Sequence, residues 1–206
     1  MRKAIRSYVV SELETEWLTR VLKGDPEAFT QLIETYQGPV YNLCYRMLGD
    51  ANDAEDAAQE TFLRAYKGIR RYDNQRSFST WLLSIAAHYC IDQIRRRRFS
   101  AISLEETPEL DPPDLTPGPE TALLMSEDQK RVQSLLAVLS PQDRAAVVMR
   151  YWYDLSYEEI GEALSMSVSA IKSRLHRARR ELAHQWTEQG PKPVAVERKC
   201  HESPAF

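Results

Sequence analysis

The sequence predicts an all-α protein made of two small helical domains joined by an irregular acidic linker. Three observations carry this. Apolar residues recur at spacings of three and four along most of the 206-residue chain, whereas the period-2 alternation and tight turns of strand hairpins are absent. Residues 99–126 contain Pro108, Pro112, Pro113, Pro117 and Pro119, so neither a helix nor a paired strand can run through their centre. The same stretch carries Glu105, Glu106, Glu109, Asp111, Asp114 and Glu120 with no Lys or Arg, and it accounts for the net charge of −3; the blocks on either side are slightly basic. Residues 1–23 then form an N-terminal arm, 24–98 the first domain, 99–126 the linker and 127–186 the second domain. The tail 187–206, with three more prolines in "PKPVAVERKCHESPAF" and poor periodicity, has the composition of a disordered segment.

In the first domain, "DANDAEDAAQETFLRAYKGI" opens on Asp and Asn caps and continues in good helix formers. At about 100° per residue, Asp53, Asp56 and Glu60 share one side, flanked by Gln59 and Leu63. Ala54, Ala58, Phe62, Ala65 and Ile69 share the other. One face is acidic and the other is core. Acids early in a helix also complement its dipole, so a well-capped surface helix and a protein-docking face both fit this pattern.

The next stretch, "RRYDNQRSFSTWLLSIAAHYCIDQIRRRR", brackets a polar loop between Tyr72 and Phe78. A helix follows, with Trp81 inside an apolar run that reads as core and with Arg95, Arg96, Arg97 and Arg98 at its end. Cations at a helix C-terminus are favourable in themselves. Aromatics around a polar loop beside arginines also describe a platform for unpaired bases next to a phosphate track.

The second domain ends in "LSYEEIGEALSMSVSAIKSRLHRARREL". Ser156 followed by Glu159 is a capping box, predicting a short helix from about Tyr157 to Leu164. A break over Ser165 and Met166 and a second cap at Ser167 predict a longer helix across a tight turn, which is a helix-turn-helix. On that longer helix Ile171, Leu175, Ala178 and Leu182 make an apolar stripe. Ser169, Lys172, Ser173, His176, Arg177 and Arg180 cluster opposite, a surface suited to phosphates and base edges. An ordinary helical hairpin with a solvated cationic face is the plainer alternative.

Composition narrows the function classes further. No stretch is apolar enough to span a bilayer and the N-terminus lacks a signal-peptide core, so a cytoplasmic protein without membrane insertion is expected. Cys44, Cys90 and Cys200 are too scattered for a disulfide framework or paired zinc ligands, even with His88 near Cys90 and His201 beside Cys200; no metal or cofactor is expected. No nucleophile with its base, carboxylate metal cluster or glycine-rich phosphate cradle points to an enzyme.

Taken together and in order, "DAEDAAQETFLRAY", "FSTWLLSIAAHYCIDQIRRRR", the acidic linker and the helix-turn-helix resemble the sigma-70 family of bacterial transcription initiation factors. More narrowly they are similar to its extracytoplasmic function group, which keeps only regions 2 and 4. The resemblance covers about residues 24–185. It implies that Asp53, Asp56, Gln59, Glu60 and Leu63 dock on core RNA polymerase. It further implies that Asn74, Gln75, Arg76, Ser77 and Phe78 capture a base of the minus-ten element of promoter DNA while Arg95 to Arg98 hold its phosphates. Ser167, Ser169, Lys172, Ser173, His176, Arg177 and Arg180 would meet the minus-thirty-five element. An anti-sigma factor is the implied inhibitor, and the linker carboxylates would lie on the RNA exit path. Gly161 stands where the family usually has Ala, Ser165 where the turn usually has Gly, and Ala57 where a branched residue is common. The rival reading is a two-domain regulator that binds an operator without polymerase.

Overall fold

A computed structural model describes residues 12–74, 76–105 and 127–189, and these contain helices and no strand. In chain order they are α1 (Glu12–Leu22), α2 (Pro26–Leu48), α3 (Ala51–Gly68), a 3-10 turn (Ile69–Arg71), α4 (Phe78–Glu105), α5 (Glu127–Ala137), α6 (Pro141–Trp152), α7 (Tyr157–Leu164) and α8 (Val168–Gln189). The all-α expectation holds.

The first domain is built around α2. Asp25 caps it by accepting from the Glu27 and Ala28 amides, Pro26 occupies the first turn where its missing N–H costs nothing, and Gly49 ends it at φ 85. Ala28, Leu32, Tyr36, Val40, Leu43 and Met47 bury one long stripe of this helix. Against it pack α1, α3 and α4. Asp50 caps α3 through the Asp53 amide at 2.9 Å; of the core face the sequence predicts, Ala54, Ala58, Ala65 and Ile69 are buried and Phe62 is partly so, and Ala57 is buried beside them.

Three boundaries differ from the sequence expectation. From Glu12 onward the N-terminal arm is helix α1, whose Leu18 and Val21 are buried and whose Glu14 accepts a 2.6 Å hydrogen bond from the Tyr36 hydroxyl; it belongs to the first domain's core. Helix α4 continues past Arg98 to Glu105, because nothing before Pro108 interrupts its backbone ladder. Helix α8 likewise runs past residue 186 to Gln189. The central prolines of the linker and most of the tail lie outside the described residues.

In the second domain Ser140 caps α6, accepting from the Asp143 amide at 3.2 Å. The reciprocal capping box at α7 is present: Glu159 N–H donates to Ser156 Oγ at 3.1 Å, and Ser156 N–H donates to Glu159 Oε2 at 2.7 Å. Ser167 caps α8 through the Ala170 amide at 3.2 Å. Across the domains, α6 packs on both α2 and α4, and α7 packs on α4.

Candidate nucleic-acid and polymerase interfaces

The helix-turn-helix depends on a close approach. Ser165 adopts the left-handed region at φ 55, ψ 46, and the Met166 amide donates to the Gly161 carbonyl at 2.8 Å. A Cβ on Gly161 would stand 2.8 Å from the Met166 carbonyl oxygen, so the missing side chain is what lets the turn close here.

Helix α8 then presents the predicted division. Ile171, Leu175 and Ala178 are buried and Leu182 is partly so. Ser167, Ser169, Lys172, Ser173, His176, Arg177 and Arg180 are all exposed. The helix is held in orientation by Arg174, whose guanidinium donates to Asp143 Oδ1 at 2.9 Å and to Gln142 Oε1 at 2.8 Å on α6. The sequence reading missed this residue, since an arginine among arginines carries no local sign that it faces a carboxylate 31 positions away.

The acidic face of α3 is only partly free. Asp56, Gln59 and Leu63 are exposed, with Leu63 and neighbouring Tyr66 about half accessible, at 54% and 49%. Glu60 pairs with Arg64 at 2.7 Å, and that guanidinium also lies 4.8 Å from the Tyr89 ring centroid. Asp53 is bound by Arg97 of α4, and the carboxylate holds the Arg97 guanidinium above its ordinary pKa. The structure therefore joins one residue expected on polymerase to one expected on DNA. Arg95, Arg96 and Arg98 remain exposed.

At the loop, Tyr72, Phe78 and Trp81 form a cluster with ring centroids 5.1–5.6 Å apart. The Tyr72 hydroxyl donates to the Arg76 carbonyl and the Arg76 amide to the Asp73 carbonyl at 3.0 Å, which folds the loop back on the cluster. Burial pushes the Tyr72 phenol up to about 12, so it stays a neutral donor. Asn74 and Arg76 are exposed and Ser77 is partly buried; Gln75 lies outside the described residues. Phe78 corrects the sequence expectation. At 1% exposure, edge-on to Tyr36 and Tyr72, it is the floor of the loop and cannot itself meet a base. Exposed Arg70 and Arg71, on the turn leading into the loop, are cations the sequence reading left unassigned. Among the described residues no group of three or more His, Cys, Asp or Glu is placed to hold a metal, and no helix is long and apolar enough to cross a membrane.

Two helical units, the second a helix-turn-helix with a cationic reading face, define a DNA-binding protein of the sigma-70 class. Residues 32–100 match the family model for sigma-70 region 2, and residues 129–182 match that for sigma-70 region 4. The chain belongs to the extracytoplasmic function sigma factors, which bind core RNA polymerase and direct it to promoters. It is 37% identical over 175 residues to the ECF RNA polymerase sigma factor SigW of Bacillus subtilis, covering 82% of this chain and 94% of that one. It is also 37% identical over 164 residues to the ECF sigma factor SigE of Mycolicibacterium smegmatis, covering 77% and 63%. Among solved structures, CnrH in complex with the cytosolic domain of CnrY is similar in fold, with a TM-score of 0.65 at 22% identity over 87% of this chain and all of that one. RpoE with the anti-sigma factor NepR from Bartonella quintana gives a TM-score of 0.62 at 20% identity, over 79% and 98%.

Proposed function

We propose a residue-level division of labour for this sigma factor. Lys172, Ser173, His176 and Arg177 read base edges of the minus-thirty-five element from the major groove, with Ser167, Ser169 and Arg180 on flanking phosphates. Loop residues Asn74, Gln75, Arg76 and Ser77 capture an unstacked base of the minus-ten element above the Tyr72–Phe78–Trp81 cluster. Arg95, Arg96 and Arg98, joined by Arg70 and Arg71, attract its phosphates. Asp56, Gln59, Glu60 and Leu63 dock on core polymerase, and Arg97 fixes Asp53 at the edge of that face. The protein works in the cytoplasm and is held in check there by an anti-sigma factor, as the named partner of the RpoE structure supports.

The observation that carries this reading is the α8 surface: seven exposed polar or cationic side chains lie opposite a buried Ile171–Leu175–Ala178 stripe. Each good base contact supplies about 1–3 kcal/mol of discrimination, and the phosphate contacts add a salt-dependent attraction. The test is in vitro transcription with the host core polymerase over a genomic library. Arg177→Ala is expected to reduce initiation about tenfold at promoters that depend on the upstream element. Unchanged start-site selection by that variant refutes the assignment.

A further inference from the structure

Within the helix-turn-helix, one aromatic ring stands beside two cations. The capping box at Ser156 and Glu159 fixes the start of α7, and with it the backbone of Tyr157, the first residue of that helix. The Tyr157 ring is partly buried against the core. Arg150 of α6 places its guanidinium carbon 5.4 Å from the ring centroid, and Lys172 of α8 places its ammonium 5.7 Å from it. Both lie within the range, about 6 Å, over which a ring quadrupole attracts a cation.

The two cations differ in what else they touch. Arg150 Nη1 donates to the Leu155 carbonyl at 2.8 Å and lies 3.5 Å from Asp154 Oδ1, so its charge is answered inside the domain and it braces the ring. Lys172 is exposed, and among the described residues its ammonium forms no ion pair. Its charge is left for DNA.

We propose that Tyr157 is a positioning residue for Lys172: its ring confines the ammonium to one base pair of the minus-thirty-five element and so sets the preference there. The inference rests on the base-reading role given to Lys172 above. A lysine carries a compact charge on a flexible four-carbon stem, so its unrestrained head group samples neighbouring base edges and phosphates alike. Such a cation adds affinity and little discrimination. An attraction worth about two- to fivefold in population, as for a cation beside a ring at an exposed site, narrows that sampling. The motif gives the narrowing a place. A recognition helix meets base edges with its N-terminal residues while the helix before it crosses the backbone. Lys172 is the fifth residue of α8 and its partner ring opens α7, so a head group held there stays where the first turns of α8 enter the groove. A confined ammonium is best matched by the paired acceptors of guanine, N7 and O6.

The test uses the full chain in holoenzyme with host core polymerase, transcribing a promoter library randomised across the upstream element. Transcript counts give the discrimination at each base pair. Lys172→Ala is expected to flatten the preference at one pair. Tyr157→Leu should weaken the preference at that same pair about two- to fivefold and leave the other pairs within about twofold, while Tyr157→Phe, which keeps the ring, should match the wild type. The salt dependence of promoter binding should be equal for the wild type and Tyr157→Leu, because no phosphate contact is lost. A uniform loss at every pair in Tyr157→Leu gives the ring a merely structural role and overturns the inference. So does a Tyr157→Phe profile as flat as that of Tyr157→Leu, which would make the hydroxyl the working group. Flattening by Lys172→Ala with none by Tyr157→Leu overturns the inference alone; no flattening by Lys172→Ala overturns the base-reading role itself, and the inference with it. If circular dichroism shows Tyr157→Leu unfolded, the ε-methylene proton shift of Lys172 in the wild-type chain decides. Displacement upfield by the ring current of Tyr157 is expected, and the ordinary shift of an exposed lysine overturns the inference.

Discussion

Replacing Gly161 by alanine sets two magnitudes against each other. In a helix interior, alanine is favoured over glycine by about 1 kcal/mol. The added Cβ, however, falls 2.8 Å from the Met166 carbonyl oxygen, against an ordinary contact of 3.4 Å or more. The obstacle is backbone, which cannot swing aside as a side chain would. Moving it strains the 2.8 Å bond from the Met166 amide to the Gly161 carbonyl and disturbs Ser165, already at φ 55. Overpacking of this kind costs about 1–3 kcal/mol and a weakened hydrogen bond about 1 kcal/mol more, so after alanine's propensity gain the net expectation is a loss of about 1–3 kcal/mol. Urea unfolding of the full chain measures it, and binding to an upstream-element duplex reports whether the turn between α7 and α8 has splayed. A Gly161→Ala chain as stable as the wild type, or more so, refutes the argument and shows that the turn has slack.

Three further outcomes are expected. Burial raises the pKa of Glu14 above its ordinary 4.5, against the opposing effect of the Tyr36 hydrogen bond. Its stabilising protonated form is therefore fully present below that value and lost as pH rises through the folded pKa. Glu14→Gln, which still accepts from Tyr36, should be more stable than wild type at neutral pH, and the difference should close by about pH 4 in unfolding curves; a constant difference would contradict the assignment. Asp53→Arg should destabilise α3 against α4 by about 0.5–1 kcal/mol, as expected for a part-exposed ion pair, and Arg97→Asp in the same chain should restore stability. No recovery in the double variant would mean the pair contributes nothing. Asp56→Arg, on the exposed acidic face, should lower capture by core polymerase in a pull-down at least about fivefold without changing stability, because its effect is confined to like-charge conflict at the interface.

What the sequence made legible was local. The capping box at Ser156 and Glu159, the second cap at Ser167 and the Ile171–Leu175–Ala178 stripe each lie within a turn or three of helix, so propensity and periodicity fix them. The acidic and apolar faces of α3 followed for the same reason. Phe78 was misread because a loop-flanking aromatic looks alike as a platform and as a floor; only the rings of Tyr36 and Tyr72 decide between them. Arg97 and Arg174 were indistinguishable from their basic neighbours until the fold brought Asp53 and Asp143 to them. The closure of one domain on the other was wholly illegible. Its hydrogen bonds join residues 88, 97 and 114 positions apart, and a donor such as Tyr153 aimed at a helical carbonyl leaves no periodic trace.

Helix α4 is 28 residues long and unbroken. At 1.5 Å per residue it is a rod of about 42 Å. The loop between Tyr72 and Phe78 sits at one end, and the chain leaves for the second domain at the other. Tension from that departing chain therefore acts on a lever arm whose fulcrum is the packing of α2 and α3. The stiffness of this arm, as much as the tether beyond it, sets how far apart two DNA elements can be while one polypeptide still spans them.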